Sequence, residues 1–279
     1  MPYILLAPIL TLFTLFYIYP IFYSFLLSFQ TRIRGEYHYA GLSNYARMIE
    51  DPIFYKALGN SFLILVIQVP LMLTLAVLLA VVLNSPFMKF KGLFRIGYFT
   101  PVLTSLVAAS VIFLLILNKD YGLLNYLLAK IGIQPIGWLS DGYWPLVTLI
   151  IVMTWRWTGY NMVILLAGLQ NISEDLYEAA SIDGASRVKQ FFYITLPQLK
   201  PVLLVTFIMS TIGSFQLFDE PYTLTSGGPN NRTLTLTLYL YQNGFSYFDF
   251  GYASALTYAV VAIVAVLSLV QFKLAGDKD

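Results

Sequence analysis

YEAASIDGASRVKQFFYITLP, residues 177 to 197, is a polar island in an apolar chain. Just ahead of it Ser173 precedes Glu174 and Asp175, a capping residue followed by acids that complement the helix dipole. A helix is therefore predicted to start there, to carry Leu176, Ala179 and Ala180 on one side, and to end near Asp183. Gly184 permits the positive-φ turn that a second helix requires. Ser186 can cap the next segment, with Val188, Phe191, Phe192 and Ile194, and Leu196-Pro197 separates that segment from the next apolar run. Two short helices around a glycine turn, lying at a membrane surface, are expected.

The composition decides what the island is embedded in. Of 279 residues 58% are apolar, 16% aromatic and 11% charged, against about 25% charged in a soluble domain. The apolar residues are gathered into long runs, and about 20 helical residues cross a bilayer core. Six runs qualify, at residues 2 to 29, 57 to 83, 97 to 117, 145 to 169, 201 to 220 and 252 to 272. The first, second, third and sixth hold no Asp, Glu, Lys or Arg. Lipid offers backbone groups no partner, so helices are expected, and the alternation of a transmembrane barrel is absent. The fold class is thus all-α: a single membrane domain over 1–279 with six spans and a cytoplasmic loop at 170–198 between the fourth and fifth.

The first run lacks the basic leader and cleavage pattern of a signal peptide, so it is expected to remain in the protein. Met1 is followed at once by Pro2 and the apolar run, which leaves open whether a tail precedes it. Cysteine is absent, and His38 is the single histidine, so neither a disulfide framework nor a metal site is expected. Six spans place both termini on one side. The connections on that side carry eight Lys or Arg against seven on the other, but over shorter segments, at about twice the positive density. The termini and the island are expected in the cytoplasm.

Glu178-Ala179-Ala180, then Gly184, then Ile194 with Leu196-Pro197, resembles the EAA signature of the permease subunits of binding-protein-dependent ABC importers. GLSNYARMIEDPIFYKALGNS (Gly41 to Ser61), AGLQNISEDLYEAASIDGAS (Ala167 to Ser186) and LTSGGPNNRTLTLTLYLYQNGF (Leu224 to Phe245) are similar to the carbohydrate branch of that family, which also handles glycerol phosphate. Gly227-Gly228-Pro229 resembles the maltose-type first permease of a pair. The large periplasmic insertion and extra N-terminal spans of some maltose permeases are missing here.

The resemblance implies a partner set: a second homologous permease, two cytoplasmic ATPase subunits, an extracytoplasmic solute-binding protein and a carbohydrate substrate, at the cell inner membrane, without nucleic acid. It implies that Glu178, Ala179, Ala180, Asp183 and Gly184 form a coupling helix seated on an ATPase, with Glu178 bonded either to the ATPase or to its own turn. No Gly is followed by Lys, so the phosphate-binding loop is missing. The chain is expected to be a transport subunit, not an enzyme, that holds no cofactor, with ATP and Mg bound by its partners.

Arg156 is a cation halfway along the fourth run, where it must face protein or water. Residues 156, 157 and 160 share a helical face, so Arg156, Trp157 and Tyr160 form a polar and aromatic stripe suited to a sugar, with Asn161 beside it. The resemblance also puts Tyr160 in the family's mid-membrane sugar site. Ser210, Ser214 and Leu217 supply a second stripe, with Gln216 beside it, that fits either a cavity lining or helix packing. Asp219 and Glu220 are expected to mark the water interface. An ATP-independent secondary sugar transporter is the alternative, although such proteins usually carry a midplane ion site and no acid lies there.

Overall fold

The computed structural model describes residues 2–33 and 35–276. The first span is α1 (Pro2–Phe13), which passes through a π-helical turn at Thr14–Ile18 into α2 (Tyr19–Leu27). Its 18-residue apolar stretch is entirely unburied, which suits a helix bathed in lipid. α14 (Phe250–Gly276), the sixth span, holds it: the Tyr258 hydroxyl donates to the Ile21 carbonyl at 2.5 Å, and Phe25 packs edge-on to the same ring. Next comes a two-stranded antiparallel hairpin, β1 (Gln30–Ile33) and β2 (Glu36–Tyr39), with Thr31 opposite His38. This hairpin is the one departure from an all-helical fold among the described residues.

α3 (Ser43–Glu50) leads into the second span, α4 (Pro52–Asn84), which starts at an Asp51 cap accepting from the Ile53 N–H at 2.8 Å, with Pro52 in the first turn. Buried residues recur along α4 every three or four positions, from Phe54 through Ile64, Gln68 and Met72 to Leu83, and that stripe packs on the fourth span, α8 (Trp144–Leu169). The α4–α8 pair is the centre of the molecule. Met162, Leu165 and Leu169 of α8 close on Ala76, Ala80 and Leu83 at one end, while Met153 and Ile150 reach Ile64 towards the other.

The third span is not the single helix expected at 97–117. It is two helices, α5 (Lys91–Leu103) and α6 (Leu106–Ile116), bent by 96° at Thr104-Ser105. Pro101 is the local cause, because it cannot donate within α5 and weakens the turn just before the break. Beyond α6 lie the short α7 (Leu123–Lys130) and a loop knotted by Asn125, whose amide bonds Ile136 in both directions and accepts from the Trp138 indole.

After α8 come α9 (Glu174–Ile182) and α10 (Arg187–Gln190), which continues through a π-helical turn at Phe191–Thr195 into α11 (Leu196–Phe215). The fifth span therefore stops at Phe215, short of the expected 220. Asp219 and Glu220 instead open a separate short helix, α12 (Asp219–Thr225), which turns back to pack on α6. The chain returns through α13 (Leu236–Tyr241) and a π-helical turn at Gln242–Ser246 to α14.

Candidate functional site

Three groups of residues carry the chemistry. At one end of the bundle α9 and α10 form a joint. Ser173 accepts from the Asp175 N–H at 3.3 Å and Ser186 from the Lys189 N–H at 3.4 Å, so both helices are capped as the sequence predicts. Gly184 lies at φ +76, a conformation that costs a side-chain-bearing residue about 1 kcal/mol or more. Around it Asp183, Gly184 and Ala185 donate to the carbonyls of Ala179, Ser181 and Ala180, closing the helix end.

Gln190 ties the arms of the joint together, donating to the Ser181 hydroxyl at 2.9 Å and to the Ala185 carbonyl at 3.3 Å, while the Tyr177 hydroxyl meets that of Thr195 at 2.9 Å. None of these bonds uses the Glu178 carboxylate, which is exposed together with Ala179 and Asp183. Ala180 is half-buried. The outward side also bears Ile182 and Val188, 87% and 66% exposed. A rigid, internally satisfied element thus presents small, apolar and acidic groups to whatever lies beyond it.

The second group lies inside the bundle. Arg156 is buried, and its Nη2 donates to the carbonyls of Thr104 at 3.1 Å and Val102 at 3.4 Å, the groups set free where the third span breaks. Such carbonyls have no water partner in lipid, and a cation suits the negative end of a helix. Gly159, one turn on, lets α5 approach α8 closely: a Cβ there would sit 1.7 Å from the Tyr98 carbonyl oxygen. The expected stripe is therefore split. Trp157 is half-buried among the α4, α8 and α11 side chains, and Tyr160 is open, stacked on Phe99 with ring centres 6.5 Å apart.

Asn161 turns into the α4 seam, bonding the Met72 sulfur and the Trp157 carbonyl. Ser214 is buried with its hydroxyl unpartnered, Ser210 is half-buried, and Gln216 is exposed as the cap of α11. Glu220, expected at the water interface, is buried, because the chain turns back after Phe215 and carries α12 into the bundle; Asp219 stays exposed.

The third group closes the opposite end; the sequence marks Gly41 to Ser61 and Gly227 to Phe245 as candidate contacts for a binding protein, but not the residues that tie the two stretches together. The Asp51 carboxylate accepts from the hydroxyls of Tyr239 and, at 2.6 Å, Tyr252. Arg47 pairs with Asp249 at 2.6 Å and lies 4.0 Å over the Tyr252 ring. Lys56 donates to the Asn230 carbonyl, and Asn60 to those of Asn231 and Leu234. The stretches Gly41 to Ser61 and Leu224 to Phe245 are thereby bound into one surface. Burial works to raise the Asp51 carboxyl, but the two tyrosine hydroxyls and the N–H groups of Ile53 and Phe54 prevail and hold it below its ordinary value. Burial and the Asp51 charge push Tyr239 up to about 12.

Residues 92–275 match the family of the binding-protein-dependent transport system inner membrane component. The chain belongs to that family. It is the permease subunit of an ABC importer, a multi-pass membrane protein. The permease is 46% identical to the lactose transport system permease protein LacF of Rhizobium radiobacter over 99% of its own length and 94% of that protein's. It is 41% identical to the arabinooligosaccharides transport system permease protein AraP of Bacillus subtilis, covering 99% and 88%. Its fold matches a chain of the bacterial alginate ABC transporter crystallised with an alginate pentasaccharide-bound periplasmic protein, at TM-score 0.87 and 21% identity over 98% of the permease and 93% of that chain.

Proposed function

We propose that this permease admits a mono- or oligosaccharide to the cell as half of a heterodimeric pore. The full-length likeness to LacF carries the reading, since 46% identity spans the membrane helices and the loops alike. AraP, named for arabinooligosaccharides, points to the same substrate class. The substrate path is assigned to Tyr160, Trp157, Ser210 and Gln216, the open or half-open members of the two stripes. Aromatic rings would take the apolar faces of a sugar, and amide and hydroxyl groups its hydroxyls. Asn161 and Ser214 support that wall from within.

The α9–α10 joint is assigned to an ATPase subunit. Glu178, Ala179, Ala180, Asp183 and Gly184 form the contact, with Ile182 and Val188 entering an apolar cleft. The partner ATPases would bind ATP and Mg; their closure would draw the joints of the two permeases together and open the pore outward. A solute-binding protein would deliver sugar to the surface built around Asp51. The termini and the joint face the cytoplasm in this scheme, as the density of positive charge favours. The test is ATP-driven uptake of lactose and arabinobiose by the complex recovered with the tagged chain and its binding protein. Uptake of either that ceases without ATP is expected; uptake that continues without ATP would replace the scheme with a secondary transporter.

A further inference from the structure

Arg156 and Glu220 are the only charged side chains buried among the described residues, at 6% and 3% exposure. They lie where the two interrupted spans come together. α6 follows the break of the third span and α12 follows the end of the fifth, and the two are joined by the Thr223 hydroxyl donating to that of Ser110 at 3.1 Å. α12 lies along the same stretch of α8 that carries Arg156. Leu224 packs with Leu149 and Val152, and Leu217 with Leu146, Ile150 and Met153, beside Trp157. Glu220 falls between these two anchors, and Arg156 is one turn beyond Val152, so the acid and the base share one segment of the seam. The two ion pairs formed among the described residues lie elsewhere.

Only Nη2 of Arg156 is in use; Nη1 and Nε are buried without a partner. Donors left unsatisfied in a low-dielectric interior are costly, and a buried charge without its counter-charge more so. A static scaffold has no reason to keep both. We propose that Arg156 and Glu220 are a positioning pair: Nη2 holds the carbonyls at the break of the third span, and the free Nη1 and Nε close on the Glu220 carboxylate when α12 shifts along α8 during transport. One cation then links the two interrupted spans, and α6 and α12 move together. Neither side chain touches the sugar in this role.

The inference rests on the proposed import function, and its test separates the two. The assembled importer is prepared with Arg156→Gln, Glu220→Gln and the double substitution, and ATP-driven uptake of lactose and arabinobiose is measured per assembled complex. Each single change strands one buried charge, so maximal uptake is expected to fall about tenfold, with the half-saturating concentration of loaded binding protein unchanged. The double variant removes both charges and is expected to recover to within about threefold of the unaltered importer. Glu220→Gln behaving as wild type, or two losses that simply multiply, would overturn the pair.

A purely structural role would reduce the amount of assembled complex and leave uptake per complex intact, which also counts against the proposal. Should a single variant fail to assemble, Arg156→Lys and Glu220→Asp take its place, keeping the charge but not the reach: lowered uptake per complex supports the pair, and unchanged uptake refutes it. If the unaltered importer takes up neither sugar, the import reading fails. The four proteins are then compared by ATP hydrolysis per assembled complex, where recovery in the double variant supports the pair and losses that simply multiply refute it.

Discussion

Gly159 and Glu178 are residues whose roles can be separated by single substitutions. The Tyr98 carbonyl occupies the space where a Cβ at 159 would stand, so Gly159→Ala must push α5 away from α8 and disturb the carbonyls that Arg156 holds. Overpacking of this kind costs about 1–3 kcal/mol. A lowered melting temperature in detergent, followed by tryptophan fluorescence, is expected; an unchanged one would show that α5 gives way freely. Glu178 bonds to nothing in its own joint, so Glu178→Lys should leave folding intact while uncoupling ATP hydrolysis from uptake. Normal uptake together with normal binding-protein-stimulated hydrolysis would remove Glu178 from the coupling contact.

The single-residue reading of the sequence succeeded where the chemistry is local. The caps at Ser173 and Ser186 and the turn at Gly184 depend on side chains within a few positions of the backbone they serve. Arg156 was legible as a buried cation needing protein around it, but not as the cap of a broken helix, because its acceptors lie 52 and 54 residues away.

Among elements, the apolar runs were legible because lipid demands length and composition that water does not, and the described residues hold five helices that meet that demand, or six if the bent pair is one span. The break in the third run was not, since the run is apolar on both sides of it and Pro101 alone hints at it. The short helix α12 was likewise absorbed into the fifth run, where hydropathy hides a reversal of direction. The surface around Asp51 depends on pairings between residues 188 and 201 positions apart, for which periodicity carries no signal.

That surface joins α4, α13 and α14, and its strength depends on the Asp51 charge. Asp51→Asn is expected to cost about 2 kcal/mol, the scale of hydrogen bonds to a charged group. The carboxyl is held below its ordinary value of 3.8, so its contribution is fully present above that value and is lost as pH falls through the lowered one. The melting difference between the variant and the unaltered protein should therefore stay constant from about pH 8 to pH 5 and shrink only below about pH 4. A difference that disappears by pH 6 would mean that the carboxylate does not hold the helices.

At the scale of the whole molecule, the permease leaves apolar surface open in two places. Two thirds of the α8 apolar stretch is buried within the chain, but only 17% of that in the fifth span. One face of α11, with Val205 and Met209 more than half exposed and Gln216 at its end, is open. The α9–α10 joint exposes Ile182 almost completely. These are the surfaces that the proposed half-pore would use: one to line the path or meet a second permease, the other to receive force from a partner ATPase.

The most direct test is to tag the chain, solubilise native membranes in mild detergent, and identify by mass spectrometry the proteins recovered with it. A second permease in an amount equal to the tagged chain, together with an ATPase, is expected. Recovery of the chain alone, in a form that moves lactose or arabinobiose across liposomes without ATP, would contradict the account.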